Sequence, residues 1–189
     1  MTGKFIPPHG GYQQLLSHQR AEVVYDATVK FCGDLLDRRD RTVDQMVRAA
    51  RSGKQNIVEG SVASGTSKEM ELKLTNVARA SLEELLTDYR DFLRTRGFAE
   101  WPREHRYAQR LQMLNRIPNA NYETFRNAVE HADPEVRVNA IIGLIKVTNY
   151  LLDQQLRRLE KDFTEQGGLR EKMTRARLEH RQIQRRRKS

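Results

Sequence analysis

The chain has 189 residues, of which 31% are charged, and it carries a formal net charge of +9. This length suits one domain with a sizeable core, and no apolar run approaches the roughly 18 residues that span a membrane. The start of the chain lacks the hydrophobic centre of a signal peptide, and the only cysteine, Cys32, has no partner for a disulfide. The sequence therefore predicts a cytoplasmic protein.

The positive charge is confined to two stretches. Residues 41–66 hold four basic and two acidic side chains, and residues 169–189 hold nine and two. Elsewhere basic and acidic side chains balance within each segment, namely 1–40, 67–96, 98–133 and 134–168. An excess localised in this way indicates contact with a polyanion more than general solubility.

The first helix is predicted to follow an irregular leader. Residues 1–14 contain two prolines and the pair Gly10-Gly11, which disfavour a regular helix. From about 15 to 38, apolar side chains recur with a helical period. The buried stripe predicted for this helix consists of Leu16, Val23, Val24, Ala27, Phe31 and Leu35.

The second helix is predicted over about 42–62 and carries part of the charge excess. Its apolar arc consists of Val43, Met46, Val47, Ala50, Ile57 and Val58. Arg41 and Arg48 lie opposite this arc, and Arg51 flanks it. Lys54 projects toward the apolar side, where it either extends its ammonium to water or pairs with a carboxylate such as Glu59.

A turn over 60–66 and a third helix over 67–96 are predicted next. Gly60 and Gly65 favour a chain reversal, and Thr66 and Glu69 stand at capping-box spacing. The main apolar stripe is Met70, Leu74, Val77, Ala78, Ser81, Leu85, Tyr89 and Phe92, while Leu72, Leu82, Leu86 and Leu93 lie off it. A helix this widely apolar needs several neighbours. Ser81 is expected to donate to the carbonyl of Val77.

Residues 98–133 are the aromatic part of the chain. They contain the only tryptophan together with several arginines, and their aromatic rings include those of Trp101, His105, Tyr107, Tyr122, Phe125 and His131. Aromatic side chains among arginines are able to stack on nucleic-acid bases. Because the segment is electrically neutral, which is unusual for such a platform, we interpret it as one or two short helices that cap the end of a bundle. Base binding is the alternative.

The last long helix is predicted to begin at Asp133-Pro134, an N-cap acceptor followed by proline, and to reach about 165. Its core positions are Ala140, Ile141, Leu144, Ile145, Leu152, Leu156, Leu159 and Phe163. Residues 167–189 form a basic tail with a weak helical pattern. The predicted fold is all-α: an antiparallel up-down four-helix bundle over 15–166, with a helical insertion at 98–133 between helices 3 and 4 and a basic C-terminal extension.

Patterns for metal, cofactor and nucleophilic chemistry are absent from the sequence. There is no Glu-x-x-His pair, zinc-ligand set, P-loop or dinucleotide fingerprint. Arg126 with His131 and Arg175 with His180 have the Arg-x4-His spacing of helical ribonucleases of the higher-eukaryote-and-prokaryote-nucleotide-binding type. The ribonuclease pattern allows four to six residues between arginine and histidine, and over these three spacings chance alone supplies about two hits in a chain with 25 arginines and five histidines. We therefore predict no enzyme and keep ribonuclease activity as a minor alternative.

Several motifs resemble a known family. They are Gln45, Ala49, Ala50, Ser52, the segment NIVEG at 56–60 and ASLEEL at 80–85. These resemble the four-helix-bundle family related to the 23S rRNA intervening-sequence proteins. HGGY at 9–12 and the segments 39–53, 65–86 and 167–181 are similar to a subgroup with a four-helix-bundle suffix domain. The resemblance implies a ring, typically a homopentamer. A more distant relative, the accessory variability determinant of diversity-generating retroelements, implies nucleic acid and a reverse transcriptase as partners.

The leading functional prediction is a non-catalytic, oligomeric RNA- or DNA-binding accessory protein that contacts phosphates with little sequence preference. The alternative is an oligomeric scaffold for protein–protein interaction. Neither requires a cofactor, a metal or a membrane. The predicted contact residues are Arg41, Arg48, Arg51, Lys54, Arg175, Arg177, Arg181, Arg185, Arg186, Arg187 and Lys188.

Overall fold

The protein is all-α. The computed structural model describes residues 10–167 and 169–188, and within these ranges the chain forms seven α-helices, one 3-10 turn at Tyr12–Gln14 and no β-strand. The helices are α1 Leu16–Leu35, α2 Arg41–Ala63, α3 Lys68–Thr95, α4 Arg106–Asn115, α5 Tyr122–Val129, α6 Pro134–Gln166 and α7 Leu169–Lys188. Residues 1–9 of the predicted leader lie outside the described residues.

Four long helices share one hydrophobic core. Helix α1 packs on α2 and α6, and α3 packs on the same two neighbours. The ring of Phe31 meets those of Tyr89 and Phe92 edge to face, with centroids 5.1 and 5.0 Å apart. The core also includes Val24, Ala27, Ala50, Ile57, Leu82, Leu85, Ile141, Leu144 and Ile145. Burial of these stripes is the main force that holds the helices together.

Local sequence sets the helix ends. Asp40 accepts a hydrogen bond from the backbone N–H of Thr42 at the start of α2, and Asp133 accepts one from Glu135 beside Pro134 at the start of α6. The prediction at Asp133-Pro134 is therefore confirmed. The capping prediction for α3 was wrong by one residue, because Ser67 accepts from the N–H of Met70 and Thr66 lies in the turn.

The turn between α2 and α3 is shorter than predicted. Gly60 lies inside α2, where a Cβ atom would stand 3.4 Å from Cβ of Leu74. A Cβ atom here would make an ordinary van der Waals contact, so Gly60 is a helical residue at the contact between α2 and α3 and is not part of the reversal. The reversal takes place over 64–67, where the N–H groups of Thr66 and Ser67 both donate to the carbonyl of Ala63.

The buried face of α3 differs from the prediction. Met70 and Val77 are exposed, whereas Leu82, Leu86 and Leu93 are buried although the prediction placed them off the stripe. The reason is that α3 packs between α2 and α6, so its buried arc faces both neighbours and is centred away from Val77. The prediction for Leu16 was also wrong: it is exposed in the first turn of α1, and Leu15 packs against the core instead.

Polar side chains connect the core helices. Ser81 donates to the carbonyl of Val77 at 3.0 Å, as predicted, and its hydroxyl lies 2.9 Å from that of Ser52 on α2. In the core, the hydroxyl of Tyr89 donates to Oγ1 of Thr28 at 3.0 Å. These bonds satisfy groups that would otherwise be buried without partners, and they fix the register between helices.

The segment 98–133 and the tail both contain helices. The first holds α4 and α5, in line with the expected short helices. The second forms α7, although we predicted only a weak helical pattern. Residues 169–188 contain no proline or glycine and are rich in arginine, glutamate, leucine and glutamine, all good helix formers. No described helix has both the length and the apolarity that a membrane crossing requires.

Candidate functional site

The α2 arginines lie on the solvent-facing side of their helix, as predicted. Arg41, Arg48 and Arg51 are all exposed. Nε of Arg48 lies 2.9 Å from Oδ1 of Asp44 one turn earlier, and both side chains are largely in solvent. Such a pair contributes little to stability, so a phosphate can displace the carboxylate at low cost. Arg41 and Arg51 form no ion pair with the residues that the structure describes.

Lys54 does not join this exposed surface. Its ammonium lies 4.3 Å from the ring centroid of Tyr25 on α1, an attractive cation–π contact, and it lines a cleft of about 350 Å³ with Tyr12 and His18. Glu59, the carboxylate suggested by the sequence, is not its contact. Burial lowers the pKa of His18, and the charge of Lys54 lowers it further. Lys54 is therefore a poor phosphate contact.

Sequence reasoning missed a second group of cations beside α2. Arg38 and Arg39 precede the helix, Arg96 follows α3, and all three are exposed. The guanidinium of Arg96 lies 3.7 Å from the ring centroid of Phe92, and its charge helps the N–H of Thr42 to lower the pKa of Asp40. The available signal was the adjacent pair Arg38 and Arg39. Asp37 and Asp40 offset the charge of this pair when basic and acidic residues are counted along the chain.

Helix α7 carries the larger excess of charge. Arg175, Arg177 and Arg181 are exposed. Arg177 and Arg181 are four residues apart and share a face, whereas Arg175 lies roughly opposite them at 100° per residue. The remaining predicted contacts fall in the last turns of α7, where the side chains lie outside the described part of the structure: Arg185, Arg186, Arg187 and Lys188.

The residues of the ribonuclease alternative are differently engaged. The guanidinium of Arg126 lies within ion-pairing distance of Glu123 and Glu130 on its own helix and its C-cap. Nδ1 of His131 accepts the backbone N–H of Asp133 at 3.1 Å, and His131 lines a cleft that Arg126 does not line. Arg175 and His180 are both exposed on α7. This arrangement does not favour joint chemistry by Arg126 and His131.

The cleft that His131 lines is formed by three helices. It lies between α4, α5 and α6 and has a volume of about 770 Å³. Its wall includes two aromatic rings, Trp101 and Tyr107, and its cations are Arg103, Arg110 and Lys146. The two aromatic residues and the two arginines lie in the segment 98–133, whose neutral charge led us to interpret it as a cap, whereas Lys146 belongs to α6.

Cys32 is a buried free thiol. Burial raises the pKa of Cys32 to about 11, so its thiol is protonated near neutral pH and is a poor nucleophile. Among the described residues, no three His, Cys, Asp or Glu side chains come together in a way that could hold a metal ion.

The described features define a class: an all-α protein with exposed arginines on α2 and α7 and a cleft between α4, α5 and α6. Comparison of the chain with protein-family models, with curated proteins and with solved structures found no match. The resemblance to the intervening-sequence-related family therefore stays a prediction.

Proposed function

We propose that the chain is a non-catalytic accessory protein that binds RNA or DNA by its phosphates. In this proposal α1, α2, α3 and α6 form an antiparallel up-down four-helix bundle, α4 and α5 form an insertion in it, and copies of the chain assemble into an oligomer, for which the family resemblance favours a pentamer. The contacts are made by the arginines of α2 and by the basic residues of α7.

One observation carries the proposal: the whole excess of +9 lies within 41–66 and 169–189, and the described arginines of these stretches face solvent. Among the described residues, no buried ion pair engages the arginines of α2. Arg48 has only an exposed partner, and Arg41 and Arg51 have none among the described residues. A phosphate backbone supplies the regularly spaced negative charges that such a surface attracts.

The proposed contacts determine how binding responds to salt. Arginine binds a phosphate with two parallel N–H donors, and each neutralised phosphate releases a counterion. Affinity should then fall steeply with salt and depend little on base sequence. In an oligomer, several copies of a weak surface act on one strand, which raises the overall affinity without new contacts.

The test is a titration of fluorescein-labelled generic RNA and duplex DNA with the full chain at several salt concentrations, read by anisotropy. We expect the triple variants Arg41→Gln/Arg48→Gln/Arg51→Gln and Arg175→Gln/Arg177→Gln/Arg181→Gln each to reduce the slope of log K against log salt by about 2 to 3, at about 0.9 per phosphate contact on duplex DNA.

The control removes the same three charges elsewhere. Arg94, Arg126 and Lys161 are exposed and pair with carboxylates on their own helices. The variant Arg94→Gln/Arg126→Gln/Lys161→Gln should keep the slope of the unmodified protein. Absence of binding at about 50 mM salt, or an equal loss of slope in the control, would refute binding through α2 and α7.

A second candidate, the protein-interaction scaffold, is favoured by exposed apolar side chains. Val62, Met70 and Val77 are 50, 44 and 39% exposed on the two helices that meet at the 64–67 turn. Exposed apolar side chains become an interface where they form one continuous patch, and the scaffold candidate requires these three to do so. The test is the mass of the intact particle that the Val77→Glu variant forms. A fall to the mass of a single chain, with the nucleic-acid affinity per chain retained, assigns these residues to self-assembly.

A further inference from the structure

The cleft between α4, α5 and α6 is held open by long-range contacts. Arg20 of α1 is 2% exposed and pins the end of α4: its Nε donates to Oδ1 of Asn115 at 2.9 Å and Nη1 donates to the carbonyl of Ala120 at 2.7 Å. Leu111 of α4 fits against Gly143 of α6. A cleft whose walls are fixed before the ligand arrives loses little entropy on binding.

One wall of the cleft is aromatic. Trp101 and Tyr107 line it with ring centroids 5.3 Å apart, and His105 stacks on Trp101 at 4.3 Å with planes 25° apart. The position of Trp101 is fixed because its backbone N–H donates to Oδ1 of Asn139, whose amide in turn donates to the carbonyl of Ala99. Positioned rings of this kind stack on planar ligands such as nucleobases.

The polar part of the cleft is cationic. Arg103, Arg110 and Lys146 line it, and none of its lining residues is an aspartate or glutamate. Lys146 is already paired with Glu100, whereas Arg103 and Arg110 are exposed and form no ion pair with described residues. The cleft therefore attracts an anion, and its two unpaired guanidinium groups are suited to a phosphate.

Amide side chains complete the cleft. Gln112 and Asn127 line it and make no side-chain hydrogen bond to described residues, so both their donors and their acceptors are available. Amides pair with the donor and acceptor edges of bases. A volume of about 770 Å³ is ample for one base, its sugar and a phosphate.

We propose that this cleft binds one nucleotide unit, with the base against Trp101 and Tyr107 and the phosphate at Arg103 and Arg110. The choice of ligand rests on the proposed function, but the site is separate from the arginines of α2 and α7. The unit is either a free mononucleotide or one nucleotide of a single strand, since both present the same base and phosphate.

The test uses Trp101 as its own probe, because it is the only tryptophan of the chain. The full-length protein is titrated with AMP, GMP, CMP and UMP, and its fluorescence is recorded. We expect saturable quenching by at least one nucleotide and at least tenfold weaker binding of the matching nucleoside, which lacks the phosphate. Equal affinity for nucleoside and nucleotide would overturn the role of the arginines.

Matched variants locate the site. Arg110→Gln should weaken nucleotide binding about tenfold, and Arg103→Gln provides a second variant in case the first unfolds, with circular dichroism as the check. Arg116→Gln removes one exposed charge just beyond α4, outside the cleft, and should bind as the unmodified protein does. No saturable quenching at 10 mM nucleotide, or an equal effect of Arg116→Gln, would overturn the proposal.

Two further comparisons are needed. The first distinguishes a free mononucleotide from one nucleotide of a strand, and the second distinguishes binding in the cleft from binding by the arginines of α2 and α7. A five-residue oligonucleotide that binds over a hundredfold more tightly than its mononucleotide identifies a strand as the ligand, and equal affinities identify the free nucleotide. The triple glutamine variant of α2 should quench normally with mononucleotide. If that variant loses duplex binding yet keeps quenching, both proposals hold; quenching without any duplex binding by the unmodified protein retains the cleft alone.

Discussion

Two glycines bring helices together in this protein, one in the core and one at the cleft. At Gly53 in α2, a Cβ atom would lie 2.7 Å from both Cγ and Cδ2 of Leu82 in α3. At Gly143 in α6, a Cβ atom would lie 2.4 Å from Cδ2 of Leu111 in α4, but 3.8 Å from Cγ. The shortest distance is therefore the one at Gly143, although only the end of the leucine side chain is close there.

The two contacts differ in how easily the leucine side chain can move away from an added Cβ atom. Cδ2 moves when the last torsion of the side chain rotates, whereas Cγ moves only if the whole side chain or its helix shifts. Leu82 is fully buried among α2, α3 and their neighbours, while Leu111 borders an open cleft into which its methyl group can turn. The four core helices are tightly packed, and α4 is attached to them with room beside it.

The largest expected effect follows directly from this comparison. Gly53→Ala should lower the free energy of unfolding by about 2 kcal/mol, because overpacking against Cγ of Leu82 outweighs the gain in helix propensity. Gly143→Ala should change it by less than about 0.5 kcal/mol, since Leu111 can rotate. Urea denaturation followed by circular dichroism measures both.

Gly33 supplies the control for helix propensity. It lies within α1 and a Cβ atom added there meets nothing within 4 Å, so Gly33→Ala should stabilise the protein by up to about 1 kcal/mol. Equal destabilisation by Gly53→Ala and Gly143→Ala would contradict the distinction between a core contact that cannot adjust and a contact at the cleft that relaxes when the Leu111 side chain turns.

Features set by local sequence could be predicted, whereas features set by the packing of distant elements could not. Helix ends follow from local signals, so Asp133-Pro134 and the reach of α1, α2 and α3 could be predicted within a few residues. The buried face of α3 could not, because Val77 and Leu82 both fit a helical stripe. Only the positions of α2 and α6 decide between them.

The candidate sites also divide into those set by local sequence and those set by contacts between distant residues. The exposure of Arg41 and Arg48 followed from their position opposite an apolar arc, and that of Arg51 from its position beside the arc, which are local properties. The cleft depends on contacts between distant residues, such as Arg20 with Asn115, which no periodicity or charge count within 98–133 can show. Lys54 was correctly placed on the apolar side, but its contact, Tyr25, belongs to another helix.

A smaller effect sharpens the description of the core. The hydroxyl of Tyr89 is fully buried and donates to Thr28, which itself donates to the carbonyl of Val24 at 2.7 Å. Tyr89→Phe leaves one acceptor position of Thr28 without a donor and should cost about 1 kcal/mol. Tyr150 is 62% exposed, so Tyr150→Phe is the matched control and should be neutral. Equal stability of the two variants in urea would mean that this hydrogen bond does not contribute to the core.

The smallest effect concerns the edge of the cleft and depends on pH. Glu100 accepts hydrogen bonds from Arg90 on α3, at 2.9 Å, and from Lys146 on α6. Burial alone would raise the pKa of Glu100, but these two cations outweigh burial and hold it below its ordinary 4.5. The unfolded chain therefore takes up this proton at a higher pH than the folded protein does, and the stabilisation is complete above pH 4.5 and is lost as the pH falls through the folded pKa.

Glu100→Gln should accordingly lower the free energy of unfolding by up to about 1 kcal/mol at pH 7, and the difference from the unmodified protein should shrink as the pH falls below 4.5. Glu104→Gln is the control on the same loop, because Glu104 is exposed and forms no ion pair with described residues; it should have no effect at any pH in this range. A difference for Glu100→Gln that does not shrink as the pH falls would show that the side chain acts through packing instead of charge. Lys146 also lines the cleft, and in Glu100→Gln it has lost the carboxylate that pairs with it. The wall of the cleft then carries one more unpaired cation, so nucleotide should quench the fluorescence of Trp101 more strongly in Glu100→Gln at pH 7.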